Sequence, residues 1–481
     1  MKDTSKQKSL VIRDEIHGDM SFDRLLRHVI DHAAFQRLRY IKQLGLAEYV
    51  FPCATHTRFQ HSLGASHLAG EYYRSMVETW LTSPFRYEGK VGETSFFAKK
   101  TYEVIQAVAA HPPSYQFWQQ AVSLGGLLHD VGHGPWSHSF ENLNLTQNFD
   151  SEIGRIDGAI RSYFDASKGR RLWHEDISII YIHNILMELG ARGILTDPKL
   201  YFRTVSLLVN RKMAMGEFQT ALEKEVEEGL AAAGMKGGVD FHRLLRPMIS
   251  GPFDVDRIDY IQRDGRNAGV HIGGIEWPRI VTKLVPCLAL HENDRGEPRD
   301  VVLVSHIKNQ HVLDDFIFSL FQMYAQVYMH PKIVGLEESI RKIFEKGVPR
   351  RGGFVIDFAV HRSLTDEKFR DMLSSEFQVT GVDDLLFRRL GAIFRVASLP
   401  VNSGMDADLR VNGFSLIHVQ DRPMLKDGVG VFLFTFFKGT DGQCDAGQYL
   451  VKPWASVSPI AERFSSIHHA PQFWMRSDSE P

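Results

Sequence analysis

A polar motif that directly follows an apolar segment constrains the fold of this chain more than any other feature. The residues from Ala121 to Leu128 are mostly small or apolar, and the adjacent pair His129-Asp130 comes next. A buried imidazole and a buried carboxylate need a partner or a metal ion to offset the loss of water. Gly132 and the Gly134-Pro135 pair should end the helix just beyond them. The sequence therefore predicts a buried helix that leads into a ligand-binding loop.

Two distant segments supply further candidate ligands. His61 lies upstream in a segment that also contains His56 and Arg58, and Asp256 lies downstream among several carboxylates. Two imidazoles and two carboxylates at one site suit Fe, Mn, Zn or Ni better than Ca or Mg. The alternative is that the downstream carboxylates form a solvated face or a helix cap. We expect one transition-metal ion, held by His61, His129, Asp130 and Asp256.

The ordered set of motifs resembles the HD-domain phosphohydrolases and, within them, the deoxynucleoside triphosphate (dNTP) triphosphohydrolases. The similarity runs from about Val11 to Lys332 and includes Phe35 to Gly45 and Tyr49 to Pro52. It extends to vertebrate members that join an HD domain to a sterile alpha motif, although we expect no sterile alpha motif in this sequence. The resemblance implies metal-dependent hydrolysis of dNTPs to a deoxynucleoside and inorganic tripolyphosphate, with Mg²⁺ on the substrate phosphates. An HD phosphohydrolase acting on another nucleotide phosphoester is the alternative.

The resemblance also implies roles for single residues. Hydrolysis at the α-phosphate needs a metal-activated water, cations near the phosphate oxygens and an acid for the departing 5′ oxygen. His138 with Glu141 is the preferred acid, because a neighbouring carboxylate orients an imidazole and raises its pKa. His174 with Glu175 is the next candidate, and His133 is counted with these catalytic residues. The substrate-binding residues implied are Gln43, Leu44, Arg58, Arg257, Tyr260, Asp264 and Tyr328; for the two arginines the alternative is a surface ion pair.

Two positions bear on the choice of substrate. Tyr328 matches an aromatic residue that packs beneath a deoxyribose and would clash with a 2′ hydroxyl. Leu320 stands where the family carries a phosphate-binding Arg, so either the alignment shifts here or the triphosphate is held differently. These residues do not predict the base.

A regulatory site is a further implication of the resemblance. Asp31, Gln36 and Arg39 match residues that bind an activating guanine nucleotide at a subunit contact, whereas Leu10 replaces a phosphate-contacting Lys. The alternative for the two charged residues is an exposed helix surface of little energetic value. We expect a homo-oligomer, either a dimer or a tetramer.

Composition gives no support for a nucleic acid or a membrane as a partner. The chain has 56 Lys and Arg against 58 Asp and Glu, and a net charge of −2 gives no global attraction to nucleic acid or membrane. A nucleotide sensor or a single-stranded nucleic-acid-binding protein is thus an alternative that the net charge does not support. Three widely spaced cysteines, Cys53, Cys287 and Cys444, fit a reducing cytoplasm. The first eight residues have no signal-peptide core, and no apolar run reaches the roughly 18 residues that span a bilayer.

Apolar periodicity predicts a mainly α fold: an HD helical core with a smaller C-terminal α+β region. Helical stripes include Ala34, Leu38 and Ile41, and Asp176 is expected to cap a helix, with His174 and Glu175 in the loop before it. We expect an N-terminal arm at 1–20, the HD domain at 21–346 and a regulatory or oligomerisation region at 347–481, with the boundary at Gly347 to Gly353. Within the last region a helix is predicted from Leu385 to Phe394, and strands from Phe414 to Val419 and from Val429 to Phe437.

Overall fold

Helices form most of the protein, which confirms the predicted fold class. The computed structural model describes residues 9–143, 145–210, 212–213, 216–272, 274–291, 300–347, 355–375, 396–400, 414–419, 422–423, 431–438, 444–461, 468–469 and 471–476. The α-helices are α1 (Arg24–Ile30), α2 (Ala33–Gln36), α3 (Arg58–Thr82), α4 (Ala98–Ala109), α5 (Pro112–Leu128), α6 (His138–Glu141), α7 (Asp150–Ile153), α8 (Gly158–Ala166), α9 (His174–Ala191), α10 (Pro198–Val209), α11 (Gly216–Ala232), α12 (Gly238–Ser250), α13 (Val255–Ala268), α14 (Trp277–Lys283), α15 (Gln310–Met323), α16 (Pro331–Gly347), α17 (Phe358–Ser363) and α18 (Asp366–Ser375).

The strands of the described residues pair into five sheets. They are β1 (Leu10–Asp14), β2 (Gly18–Phe22), β3 (Glu88–Val91), β4 (Thr94–Phe97), β5 (Thr146–Asn148), β6 (Val285–His291), β7 (Asp300–His306), β8 (Val355–Asp357), β9 (Val396–Pro400), β10 (Phe414–Val419), β11 (Arg422–Pro423), β12 (Val431–Lys438), β13 (Cys444–Pro453), β14 (His468–His469) and β15 (Pro471–Arg476). The largest sheet has six strands in the order β13-β12-β7-β6-β4-β3, and only its β12–β7 pair is parallel.

Helices α3 and α5 pack closely side by side at the centre of the body. A side chain at Gly126 on α5 would lie 2.6 Å from the carbonyl oxygen of Ala65 on α3, so only glycine permits this approach. The hydroxyl of Ser66 donates to the carbonyl of Ser123 at 2.9 Å across the same contact. The two helices therefore hold the start of α3 and the end of α5 at fixed positions.

Helix α9 packs against the loop that follows α5. The backbone N–H of Gly132 donates to the Ser178 hydroxyl at 2.9 Å, and that hydroxyl donates to the carbonyl of His129 at 2.7 Å. A Cβ atom on Gly132 would collide with the first turn of α9, at His174 and Ser178. The glycine is thus required for close packing, in addition to ending the helix.

Two sequence predictions of local structure need correction. Helix α9 begins at His174, and Asp176 lies inside its first turn, where its carboxylate accepts from the Trp173 N–H at 3.2 Å. His174 and Glu175 are therefore helical and do not lie in a loop. The stripe that ends at Ile41 is buried but is not one α-helix. Ile41 is extended because its carbonyl accepts the N–H of Arg58 at 2.9 Å, which pulls the chain out of the helix.

The C-terminal segments add both helices and strands. The predicted strand at Phe414–Val419 is confirmed, and the second predicted strand corresponds to Val431–Lys438. The predicted helix from Leu385 to Phe394 and the boundary after Gly347 lie outside the described residues. Among the described side chains, those of Phe358, Phe369 and Trp454 join the same hydrophobic core as the helical body.

No helix in the part of the chain that the structure describes combines the length and the apolar character that crossing a bilayer would demand.

Candidate functional site

Three helices bring three metal-donor atoms together. His61 lies one turn into α3, His129 caps the C-terminus of α5, and Asp256 lies in the first turn of α13. Nε2 of His61 is 3.3 Å from Nε2 of His129 and 3.2 Å from Oδ1 of Asp256, which is 3.5 Å from Nε2 of His129. Ligand atoms about 2.1 Å from one metal ion lie about 3.0–3.4 Å apart at angles of 90–109°. The spacing therefore fits a common metal ion.

Hydrogen bonds on the far side of each imidazole support this interpretation. Nδ1 of His61 donates to Oδ2 of Asp259 at 2.8 Å, and Nδ1 of His129 donates to the carbonyl of Gly126 at 2.9 Å. In their neutral forms both rings then carry a lone pair on Nε2, and the two lone pairs face each other beside the Asp256 carboxylate. The two lone pairs and the carboxylate repel one another unless a cation lies between them. The donor chemistry therefore fits a bound metal ion.

The charge balance of the cluster also favours a cation. Burial opposes a charge on His61, but hydrogen bonds to Asp256 and Asp259 outweigh it and raise the pKa of His61 to about 10. Burial raises the pKa of Asp256, yet the two imidazoles outweigh that effect and hold it well below its usual value. The site therefore favours positive charge. A metal ion would supply that charge in place of the proton on Nε2 of His61.

The fourth predicted ligand, Asp130, lies between the metal donors and an arginine. Its oxygens are 3.7 Å from Nε2 of His61 and 3.5 Å from Nε2 of His129. Oδ2 also accepts from Nη1 of Arg58, whose Nε donates to the Ser137 hydroxyl at 2.9 Å. Arg58 is fully buried, so it is not the surface ion pair that the sequence left open. Its positive charge lies beside the metal donors.

A second cluster contains the predicted acids. Oε2 of Glu141 accepts from Nδ1 of His138 at 2.9 Å, and Oε1 accepts from Nδ1 of His174 at 2.7 Å. The sequence pairs His174 with Glu175, but in the structure Glu175 is 3.9 Å away and Glu141 is the closer carboxylate. One carboxylate thus orients two imidazoles and leaves Nε2 of each for proton transfer. The His138 side chain is 56% exposed and the Glu141 side chain only 8%, so His138 is the accessible member.

Glu141 also controls the charge of this cluster. Burial lowers the pKa of His174, but the Glu141 charge and hydrogen bond outweigh it and raise that pKa to about 9. Burial raises the pKa of Glu141. The charge of His174 and the hydrogen bonds from His138 and His174 outweigh burial and hold that pKa far below its usual range. At neutral pH the pair is therefore ionised, with a fixed cation on His174.

His133 connects the two clusters. Its Nε2 lies 3.5 Å from Oδ1 of Asp130, and its ring stacks on that of His174 with centroids 3.8 Å apart. Burial, together with the charges of Arg58 and His174, holds the pKa of His133 well below 6.5. A neutral imidazole therefore separates the metal donors from the cationic His174.

A strained dipeptide precedes His138. Trp136 and Ser137 both have a positive φ, 55° and 54°, which costs about 1–2 kcal/mol for each residue that is not glycine. The Ser137 hydroxyl donates to the carbonyl of Lys42 at 2.7 Å and accepts from Arg58. Surrounding contacts thus hold the backbone that positions His138.

The residues predicted to bind the sugar form a neighbouring group. The Tyr328 hydroxyl donates to Oδ2 of Asp264 at 2.8 Å, and Oδ1 of Asp264 lies 2.7 Å from Nε2 of His56. The rings of Tyr260 and Tyr328 meet edge to face with centroids 5.8 Å apart, and Tyr260 also lies 6.5 Å from the ring of His61. The sugar-side residues therefore border the metal donors.

Several other predicted residues have defined surroundings. Gln43 is buried, and its Oε1 has no hydrogen-bond partner within the described ranges. Leu44 is half-buried, and Arg257 is buried with Nη1 at 3.4 Å from the carbonyl of Pro252. Leu320 is fully buried in the hydrophobic core, so the position contributes no cation.

The three residues assigned to a guanine-nucleotide site lie near the surface. Nε of Arg39 donates to Oε1 of Gln36 at 2.7 Å, and its guanidinium lies 3.6 Å from the ring centroid of Phe59. Asp31 is exposed and lies 3.6 Å from Nε of Arg27. The structure therefore brings Gln36 and Arg39 together and leaves Asp31 in a separate pair.

Sequence reasoning missed the residues behind His61. Oδ1 of Asp259 accepts from Nε2 of His17 at 2.7 Å and from Nη2 of Arg263 at 2.8 Å, and Arg263 also donates to Asp14 at 2.8 Å. Asp259 stood in the carboxylate-rich segment already singled out, but no local pattern shows which carboxylate faces the ion and which faces the imidazole. Asp14 and His17 tie the β1–β2 hairpin to this network.

Curated proteins similar to this chain include dNTP triphosphohydrolases. The SAMHD1 homologue of Dictyostelium discoideum is 34% identical over 187 residues, which cover 39% of this chain and 27% of that protein. Human SAMHD1 is 28% identical over 267 residues, 54% of this chain and 33% of that protein. The uncharacterised protein YwfO of Bacillus subtilis is 28% identical over 338 residues, 70% of this chain and 55% of that protein. The chain thus spans only about a third of the human relative, and no protein-family model matches it.

Two solved structures share the fold over nearly the whole chain. A hypothetical protein from Aquifex aeolicus has a TM-score of 0.62 at 19% identity and covers 98% of both chains. A phosphohydrolase from Bacteroides thetaiotaomicron has a TM-score of 0.60 at 19% identity and covers 98% of this chain and all of the other. The chain is therefore similar in sequence to dNTP triphosphohydrolases over part of their length, and it shares its fold with these two solved structures.

Proposed function

We propose that this protein hydrolyses dNTPs to a deoxynucleoside and inorganic tripolyphosphate in a metal-dependent reaction. The observation that carries the proposal is the link through Asp130 and His133 between the metal donors and the Glu141-bridged histidines. Cleavage of a phosphoester needs an activated water and positive charge at the phosphorus and a proton for the departing oxygen. In this proposal the metal donors would meet the first two requirements, and the adjacent Glu141-bridged histidines would meet the third.

His61, His129, Asp130 and Asp256 would hold a transition-metal ion such as Fe, Mn, Zn or Ni. Such an ion would supply a Lewis acid for the phosphate oxygens and an activated water. Arg58 and the cationic His174 add positive charge near the phosphates, which we propose enter as their Mg²⁺ complex. His138 donates the proton to the 5′ oxygen from Nε2, since Glu141 holds its Nδ1.

The sugar end of the substrate is proposed to contact Gln43, Asp264 and Tyr328. Gln43 Oε1 is a buried acceptor that requires a donor, and a sugar hydroxyl is a suitable one. Tyr328 is held against Asp264, so its ring presents a fixed surface. A fixed ring against C2′ excludes a 2′ hydroxyl and favours deoxynucleotides.

The test is product analysis. Protein loaded separately with each candidate metal is incubated with every dNTP and NTP, singly and mixed, and the products are separated by anion exchange. Tripolyphosphate together with a deoxynucleoside is the expected result. Release of pyrophosphate or orthophosphate would contradict this reaction while leaving an HD phosphohydrolase in place.

A second candidate is hydrolysis of another nucleotide phosphoester. The observation in its favour is Leu320, a buried apolar residue where the resemblance implies a phosphate-binding Arg. A substrate with fewer phosphates would not need that cation. Parallel incubation with nucleoside monophosphates and cyclic nucleotides separates the two candidates.

Regulation and assembly are proposed from the resemblance alone. We propose that a guanine nucleotide binds near Gln36 and Arg39 and stabilises a dimer or tetramer, with residues 347–481 contributing to the contacts. Cys53 and Cys287 are free thiols, which supports a cytoplasmic location. Adding GTP to a dNTP assay and measuring molar mass in parallel tests this: an unchanged rate and mass would contradict it.

A further inference from the structure

The first residue of α18 bridges two loops of the candidate site. Oδ1 of Asp366 accepts the backbone N–H of Trp136 at 2.8 Å, and Oδ2 accepts that of Lys42 at 2.8 Å. Lys42 directly precedes Gln43 and Leu44, and Trp136 lies two residues before His138. One buried carboxylate therefore holds both the segment of the predicted sugar contacts and the segment of the predicted acid.

The two bridged segments also contact each other. The Ser137 hydroxyl donates to the carbonyl of Lys42, and a Cβ atom on Gly45 would collide with the carbonyl of Trp136. The ring of Trp136 packs edge to face on that of Phe369, one turn further along α18, with centroids 5.0 Å apart. Helix α18 therefore meets this junction with both a carboxylate and an aromatic ring.

The strained dipeptide needs such a partner. A positive φ at both Trp136 and Ser137 persists only where neighbouring groups overdetermine the backbone. Asp366 satisfies the N–H of Trp136 inside the buried junction, where an unpaired N–H is costly. Burial raises the pKa of Asp366 to about 6, although its two backbone hydrogen bonds act in the opposite direction. The ionised form of Asp366 therefore destabilises the folded protein.

We propose that Asp366 is a positioning residue that sets His138 and the Gln43 segment relative to each other, so that α18 completes the active site from the C-terminal region. The assignment of roles to His138 and Gln43 rests on the proposed function. Asp366 acts through two backbone amides and touches no reacting atom. Misplacing a reacting group by about 1 Å can reduce turnover about 100-fold.

The test compares Asp366→Ala with two variants in the same helix. Glu367→Ala removes the adjacent exposed carboxylate, and Leu373→Ala removes a fully buried side chain of α18 that cannot accept a hydrogen bond from either loop amide. Asp366→Ala should lower kcat by about 10- to 100-fold with bound metal unchanged. It should also speed amide hydrogen exchange at Trp136 and Lys42, whereas Glu367→Ala should change none of these.

Leu373→Ala separates positioning from general stability. It should lower Tm at least as much as Asp366→Ala while keeping kcat near that of the wild type, well below the unfolding temperature. Equal losses of kcat at equal losses of Tm, or a wild-type kcat in Asp366→Ala, would overturn the proposal.

If Asp366→Ala does not fold, Asp366→Asn carries the same test, since it keeps the size and one acceptor. Failure of both to fold where Leu373→Ala is folded would assign Asp366 a purely structural role. A wild-type protein without nucleotide hydrolysis would overturn the proposed function instead, and amide exchange would still decide whether Asp366 holds the two loops.

Discussion

Glu141 accepts a hydrogen bond from Nδ1 of His174 at 2.7 Å across a large separation in sequence, and this contact fixes the charge on the candidate acids. The same carboxylate holds His138 at 2.9 Å. Since Glu141 raises the pKa of His174 to about 9, His174 stays cationic at neutral pH and is a weak proton donor. His174 therefore suits charge stabilisation, and the more exposed His138 suits proton transfer.

Replacing Glu141 with Gln should lower the pKa of His174, because burial is then opposed only by the smaller effects of the Glu175 and Asp130 charges. A histidine with a raised pKa stabilises the fold below its unfolded value of 6.5, and this contribution is lost as pH rises through about 9. The stability difference between wild type and Glu141→Gln should thus shrink between those two pH values. Imidazole NMR titration and denaturant unfolding measure both effects; an unchanged His174 titration would refute the coupling.

Removing two metal donors should remove the metal and the activity together. His129→Ala with Asp256→Asn takes away one imidazole and one carboxylate and spares Asp130, which also neutralises the buried Arg58. Metal stoichiometry is measured on protein shown to be folded by circular dichroism. His271→Ala, which removes an exposed imidazole, should retain full metal. Stoichiometric metal in the folded double variant would disprove the ligand assignment.

Replacing His138 with Ala should leave the metal in place and lower turnover by at least ~100-fold, the usual scale for a positioned general acid. The imidazole is exposed and lies apart from the metal donors, so the fold should tolerate the change. Steady-state kinetics and metal analysis on one preparation check the prediction. Near-normal turnover would transfer the role to His174.

Replacing Tyr328 with Ala should narrow the preference for dNTPs over NTPs, because space opens where a 2′ hydroxyl would lie. Tyr328→Phe is the matched control, since it keeps the ring and loses only the hydrogen bond to Asp264. The dNTP-to-NTP ratio of kcat/KM is the measurement. If Tyr328→Ala lowers dNTP hydrolysis and leaves that ratio unchanged, the ring is ordinary packing.

The raised pKa of Asp366 predicts that the free energy of unfolding depends on pH. The folded value is about 6 and the ordinary value 3.8, so native protein binds the proton more tightly and the ionised form destabilises the fold above pH 6. Relative to Asp366→Asn, wild type should lose up to about 3 kcal/mol of unfolding free energy as pH rises from 3.8 to 6.

The charged or titratable groups around Asp366 are Arg37, Lys42, Glu48 and Tyr49, and they are present in both proteins. Their direct contributions therefore cancel in the difference between wild type and Asp366→Asn. Urea unfolding across that pH range is the measurement. Parallel stability curves for the two proteins would contradict the raised pKa.

The sequence alone could predict the helical body and the candidate metal donors, because both depend on local patterns. Apolar stripes mark buried helix faces, and His129-Asp130 after a buried helix is a compact signal. Contacts between distant segments left no such signal. The preference of His174 for Glu141 over the adjacent Glu175 depends on how α9 packs against α6.

The role of Asp366 could not be predicted for a similar reason. Nothing in a lone aspartate at a helix start distinguishes a cap from a residue that binds two remote backbone amides. At Ile41 a local pattern predicted the wrong structure. Its apolar spacing fits a helix, but a hydrogen bond from the distant Arg58 holds it in an extended conformation.

The parallel pairing of β12 with β7 has a consequence for the order of folding. Val431 aligns with Leu303, and β13 pairs with the other edge of β12, so two of the six strands of this sheet come from late in the chain. Contacts between segments so distant in sequence form slowly, because a long loop must close before they stabilise anything. During synthesis the antiparallel β6–β7 pair therefore emerges with one edge open, and the sheet is completed only once β12 and β13 have left the ribosome.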